Sequence, residues 1–127
     1  MAVPLANEKV TLETPEAVDA FLRSHPDAVI FKAGLCHKSP HTFEYVQGAL
    51  GPHPELPIGI IRVVEARSAS NHVERLTGIR HESPQFILFK DGKAVFDRDN
   101  WDITREDLDG ALREHFALAG LPARGPV

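Results

Sequence analysis

Three apolar runs set the tightest limit on what this chain can fold into: "AVIFKA" at 28–33, "PIGIIRVVE" at 57–65 and "PQFILFKDGKAVFD" at 84–97. Each is rich in β-branched and aromatic residues, and the first two have the length of a buried strand. The third is cut by Asp91-Gly92, and Asp-Gly between alternating apolar residues is a strong hairpin signal. Between and around these runs the apolar spacing changes to that of helices. In "TPEAVDAFLRSHP" Thr14 can cap, Pro15 suits the first helical position, and Val18, Phe21 and Leu22 share one face before His25 and Pro26 end the pattern. Phe43, Val46 and Leu50 predict a second helix that starts at Cys36 and stops at "GPHPELP". "ARSASNHVERLTGI" predicts a third, with Val73 and Leu76 inward and Gly78 as its stop. A fourth, "ITREDLDGALREHFALAGL", is capped by Thr104, with Asp107 in a near capping box and Leu108, Leu112, Phe116 and Leu118 as its apolar face. A short strand around "EKVTL" precedes everything, and the tail at 121–127 is expected to be loose.

A strand-helix-strand unit, a further helix, a hairpin and a closing helix imply an α/β protein, with a mixed central sheet covered by helices on both faces. That order is the thioredoxin-like arrangement. Its 127 residues, 43% hydrophobic and 25% charged, suit a single domain over 1–127, with a core at about 10–118. No repeat or linker divides it.

A net charge of -4 with scattered lysines and arginines gives no footprint for nucleic acid. The start "MAVPLANEKV" lacks the basic and continuously apolar pattern of a secretion signal, and no run is long enough to span a membrane. A cytoplasmic location is the expectation. A single cysteine cannot form an internal disulfide, and that compartment keeps thiols reduced.

That cysteine, Cys36, falls where an apolar strand gives way to a helix. Unpaired amides and the positive end of the helix dipole favour anions there, and the thiolate is the nucleophile of disulfide exchange. His37 and Lys38 can add positive charge. Ser39 stands three residues on, where a dithiol enzyme carries its resolving thiol. Without a second thiol, a bound partner must be released by an external one. The second candidate element is "HESPQFILF", in which Pro84 directly precedes a strand. In thioredoxin-like folds a cis proline at this place lies beside the active cysteine, so Ser83-Pro84 is read as part of a binding groove.

The pieces "FKAGLCHKS", "HESPQFILFKDGKAVF" and "WDIT", with the spacing between them, resemble the monothiol bacilliredoxin family of thioredoxin-fold proteins over roughly residues 10–118. The resemblance implies removal of bacillithiol, a low-molecular-weight thiol, from protein mixed disulfides. Cys36 would be the nucleophile, Pro84 the proline beside it, and His81, Glu82 and Ser83 the adjoining loop, with His37, Lys38 and Ser39 counted in the same groove. The implied partners are S-bacillithiolated proteins and a low-molecular-weight thiol. Bacillithiol is the co-substrate, and no metal, flavin or nucleotide is implied. The family commonly shows Thr-Cys-Pro-Ile-Ser where this chain has Leu35, Cys36, His37, Lys38 and Ser39, so the residues beside the sulfur differ.

Other readings compete with these. Cys36, His37 and His41 have spacing that suits zinc, but lack a defined fourth ligand, and exposed histidines are the better reading. His81 and Glu82 could form an acid-base pair for the departing thiol, or His81 could be a loop histidine bonded to backbone. Trp101 is expected to pack on the base of the sheet, and Asp102 to cap or lead into the last helix. As a whole the chain could instead be a non-catalytic redox sensor or binding module, or a monothiol glutaredoxin-like carrier of an iron–sulfur cluster.

Overall fold

The computed structural model describes residues 7–116; Leu118 and the tail at 121–127 lie outside the described residues. In chain order the elements are β1 (Lys9–Thr11), α1 (Pro15–Ser24), β2 (Ala28–Ala33), α2 (Lys38–Leu50), β3 (Ile58–Arg62), α3 (Arg67–Thr77), β4 (Gln85–Lys90), β5 (Lys93–Asp99), a 3-10 turn (Asn100–Asp102) and α4 (Arg105–His115). The strands form one five-stranded sheet in the order β1-β3-β2-β4-β5. β1, β3 and β2 run parallel, and β4 and β5 add on antiparallel through the hairpin. Asp91 and Gly92 both take positive φ in that turn, 55° and 80°, as a two-residue hairpin loop matched to strand twist requires.

The helices begin and end where local chemistry directs. Thr14 Oγ1 accepts from the Ala17 amide at the start of α1, and Thr104 Oγ1 accepts from the Asp107 amide at the start of α4. Gly78 closes α3 with φ 72°, the left-handed conformation that glycine adopts without steric cost.

Side-chain alternation along the two central strands divides the core. Val29, Phe31, Phe86 and Leu88 face α2 and α4, where they pack with Val46, Leu50, Leu108 and Leu112. Ala28, Ile30, Ile87 and Phe89 face α1 and α3, with Val18, Phe21, Ala69 and Val73. Gly59 on β3 lets this second layer close, because a Cβ there would stand 2.6 Å from Leu12 Cδ1 and 3.0 Å from Phe21 Cε2.

Three expectations are corrected. β3 stops at Arg62, and Val63–Glu65 turn into α3, with the amides of Glu65 and Ala66 both donating to Arg62 O. Leu76 is half exposed, because it lies at the last turn of α3, where it borders an open groove with Leu22 and Ala94 instead of the sheet core. α2 starts at Lys38, so Cys36 precedes the helix and does not begin it.

Candidate active site

The strand that ends at Ala33 delivers a short loop, Gly34 to His37, to the mouth of α2. Ser39 braces this loop from both sides. Its Oγ accepts from the Gly34 amide at 2.9 Å, and its own amide donates to Cys36 O at 3.0 Å. The C-x-x-S spacing therefore closes a turn around the cysteine, and Ser39 is buried. Cys36 itself is exposed. Leu35 beside it is 88% exposed, so the thiol stands on a projecting loop. The first turn of α2 carries no acidic residue and no side-chain cap, which leaves its positive end open to an anion.

The 81–84 loop comes against the cysteine loop at Gly34. A Cβ on Gly34 would lie 2.8 Å from Ser83 Oγ, so the absence of a side chain there permits the approach. The Ser83-Pro84 bond is cis, and Pro84 is buried at the head of β4. Its carbonyl accepts from the Asn100 amide at 2.9 Å.

Asn100 gathers the walls of the site. Its Oδ1 accepts from Lys38 Nζ at 2.9 Å, and its Nδ2 reaches Asp99 Oδ1 at 3.1 Å and Glu82 Oε1 at 3.4 Å. It does this in a left-handed conformation, φ 51°, which Asn tolerates better than most residues. The sequence reading missed Asn100, since an asparagine at the end of a strand carries no signal beyond a turn.

Trp101 corrects an expectation. It is not packed on the base of the sheet; it is 52% exposed, with its ring 6.0 Å from that of His37 and 6.1 Å from that of His41. The turn that follows Asn100 carries it outward, to the side where His37 lies. Asp102 ends that 3-10 turn and precedes α4 without capping it. His37 Nδ1 is 3.9 Å from Cys36 Sγ. Among the described residues no group of three or more His, Cys, Asp or Glu side chains is arranged to hold a metal ion.

His81 and Glu82 are not paired with each other. Glu82 points to Asn100 and to Arg80. The His81 ring turns inward, with Nδ1 3.0 Å from Ser70 Oγ and 3.2 Å from Lys32 Nζ, while its amide donates to Glu74 Oε2 at 2.9 Å. Burial first, and then the Lys32 ammonium, hold the His81 pKa below the ordinary histidine value. Lys32 is fully buried and donates to Ser70 O at 3.0 Å. Burial lowers its pKa to about 8, against an opposing pull from Glu74. A lone lysine inside "AVIFKA" was the available signal for this cluster, since lysine is almost never fully buried.

Chemically, the loop presents one exposed thiol, and the chain holds no second cysteine to resolve an adduct. Exchange with an external disulfide is the reaction such a site can perform, and a second external thiol must complete it.

Comparison with known proteins agrees with this architecture. A candidate oxidoreductase with a thioredoxin fold superimposes with a TM-score of 0.73 at 22% identity, covering 81% of this chain and 92% of that one. A thioredoxin mutant from Halobacterium salinarum gives 0.69 at 15% identity over 92% and 98% of the two chains, and Fasciola hepatica thioredoxin gives 0.65 at 16% over 84% and 98%. At these identities the likeness establishes the thioredoxin fold. The family is established by sequence: the model for monothiol bacilliredoxin BrxC matches residues 10–108, a span that includes the thiol, the 81–84 loop and the hairpin, and the chain therefore belongs to the BrxC family of monothiol, thioredoxin-fold thiol oxidoreductases.

Proposed function

We propose that the protein is a monothiol disulfide reductase that removes bacillithiol from S-bacillithiolated proteins in the cytoplasm, with Cys36 as its nucleophile. The observation that carries this reading is the single exposed thiol, with a buried serine bonded to the Gly34 amide at the position of a resolving thiol. The family match supports the choice of thiol. Among the described residues, no helix is long and apolar enough to cross a membrane.

The reaction runs in two exchanges. The Cys36 thiolate attacks the bacillithiol sulfur of the mixed disulfide; the S–S bond breaks, the target cysteine leaves as a thiolate and takes a proton, and bacillithiol stays on Cys36. A second low-molecular-weight thiol then attacks that adduct, regenerates Cys36 and departs as a disulfide with bacillithiol. No resident cofactor is needed for either exchange. The carboxylates of bacillithiol are drawn to the open end of α2 and to Lys38, whose ammonium group Asn100 holds there. His37 and Trp101 form an outer wall beside the sulfur.

The test is release of bacillithiol from a stoichiometrically bacillithiolated target protein, with free bacillithiol as the second thiol. The wild type is expected to turn over and Cys36→Ser to be inactive; turnover by Cys36→Ser would refute the scheme. Protein purified without oxygen is expected to be colourless, and a visible chromophore would favour an iron–sulfur carrier instead.

A further inference from the structure

The Lys32 cluster lies beneath the site and takes no part in the exchange steps above. Lys32 pairs in register with Gln85, the residue after Pro84, so its side chain sits directly under the start of β4 on the α3 side of the sheet. Its neighbour in sequence, Ala33, leads into the cysteine loop. The ammonium group is thus placed where the chain segment ending in Cys36 and the segment ending in Pro84 run side by side.

An ammonium group has only donors. Lys32 Nζ gives one N–H to Ser70 O and points another at His81 Nδ1, so that ring nitrogen must present its lone pair and the ring proton must be on Nε2. The arrangement leaves Gln85 Oε1 buried with no partner, while Gln85 Nε2 donates to Arg80 O. The loop is therefore tied down where it leaves α3, through two adjacent residues: at His81 by Lys32, Ser70 and Glu74, and at Arg80 by Gln85.

We propose that Lys32 is a positioning residue for the exchange reaction: its ammonium group locks His81 as the Nε2–H tautomer and thereby holds the 81–84 loop against the cysteine loop. This inference rests on the disulfide-reductase reading for the reaction it serves. Removing the proton from Lys32 releases the lock, because a neutral amine no longer fixes which ring nitrogen carries the hydrogen. The charged and titratable groups that face the pair are Glu74 and Arg67 from α3 and Glu82 from the loop. Burial lowers the Lys32 pKa to about 8, which puts the release within reach of mildly alkaline conditions.

Nitrogen NMR of the full chain reads the lock directly. In the wild type the His81 ring is expected to be the Nε2–H form at pH 7 and to lose that preference with the same midpoint, near pH 8, at which Lys32 Nζ titrates. Lys32→Met is expected to give a mixed tautomer population at neutral pH, to raise the His81 pKa, and to slow uptake of a small thiol onto Cys36 from its disulfide by roughly tenfold. An Nε2–H preference that ignores the Lys32 titration in the wild type would overturn the proposal even if the variant failed to fold. A Lys32→Met protein with an unchanged ring and an unchanged rate would overturn it as well. If wild-type Cys36 exchanged with no disulfide, the reductase reading would fail and Lys32 would serve no exchange, while the ring nitrogens would still report separately whether the lock exists.

Discussion

On the α2/α4 face of the sheet, β2 and β4 contribute Val29, Phe31, Phe86 and Leu88 to a layer closed by Val46, Leu50 and Leu108; its buried hydroxyls, Ser39 and Thr42, sit at the mouth of α2 on local backbone partners. On the α1/α3 face the same two strands begin with Ala28, Ile30, Ile87 and Phe89 and then change character toward the site, where Lys32, Ser70, His81 and Gln85 meet. One face is packed like an ordinary core and carries α2, at whose mouth the thiol stands. The other holds a buried ammonium group under the loop that meets the thiol. A buried charge with no carboxylate bonded to it costs stability, and that cost sets this end of the α1/α3 face apart from the packed layer opposite.

Mutations sharpen the contrast. Phe31→Ala, on the dry face, is expected to lower the unfolding free energy by about 3–5 kcal/mol in urea titration, since it opens a cavity beneath α2; a loss below about 1 kcal/mol would mean that this layer is loosely packed. Asn100→Ala removes the bonds to Lys38 and Glu82 and puts a Cβ-bearing residue without a local polar partner at positive φ. A loss of about 1–2 kcal/mol is expected, with Asn100→Gly restoring the backbone part but not the side-chain part.

Lys32→Met should go the other way, gaining about 1 kcal/mol at pH 7 while exchange slows. The pH dependence follows from the sign of the shift. The folded state lets go of the Lys32 proton at about pH 8, whereas an unperturbed lysine does so at 10.5, so between those values the unfolded state binds more protons and wild-type stability rises with pH. The advantage of Lys32→Met in thermal melts is therefore expected to shrink from pH 8 to 10; a constant gap would show that Lys32 titrates normally. The smallest effect is expected for Trp101→Ala, within about 0.5 kcal/mol of the wild type in stability, with a several-fold rise in KM for a bacillithiolated protein.

The parts of the fold that rest on local chemistry could be read from the residues. The limits of "AVIFKA", the caps Thr14 and Thr104, the stop at Gly78 and the Asp91-Gly92 turn each depend on neighbours within a few positions. Where tertiary placement decides, the reading fell short. Val63 and Val64 look like strand yet turn away, because β3 ends where β2 ends, at the pairing of Ala33 with Arg62. Trp101 looks like core and lies on the surface beside two histidines, because Asn100 sends the chain outward. Lys32 was seen as part of a strand, but that its partner is a histidine distant in sequence follows only from the pairing of β2 with β4.

The central claim is that Cys36 is a working monothiol, and intact mass tests it most directly. Reduced protein is exposed briefly at neutral pH to bacillithiol disulfide, in parallel with glutathione disulfide and with the Cys36→Ser variant. The expected result is rapid gain of one bacillithiol on the wild type alone, faster than gain of glutathione, and its removal by free bacillithiol. Absence of an adduct from either disulfide would contradict the account and leave the thiol without a role in exchange.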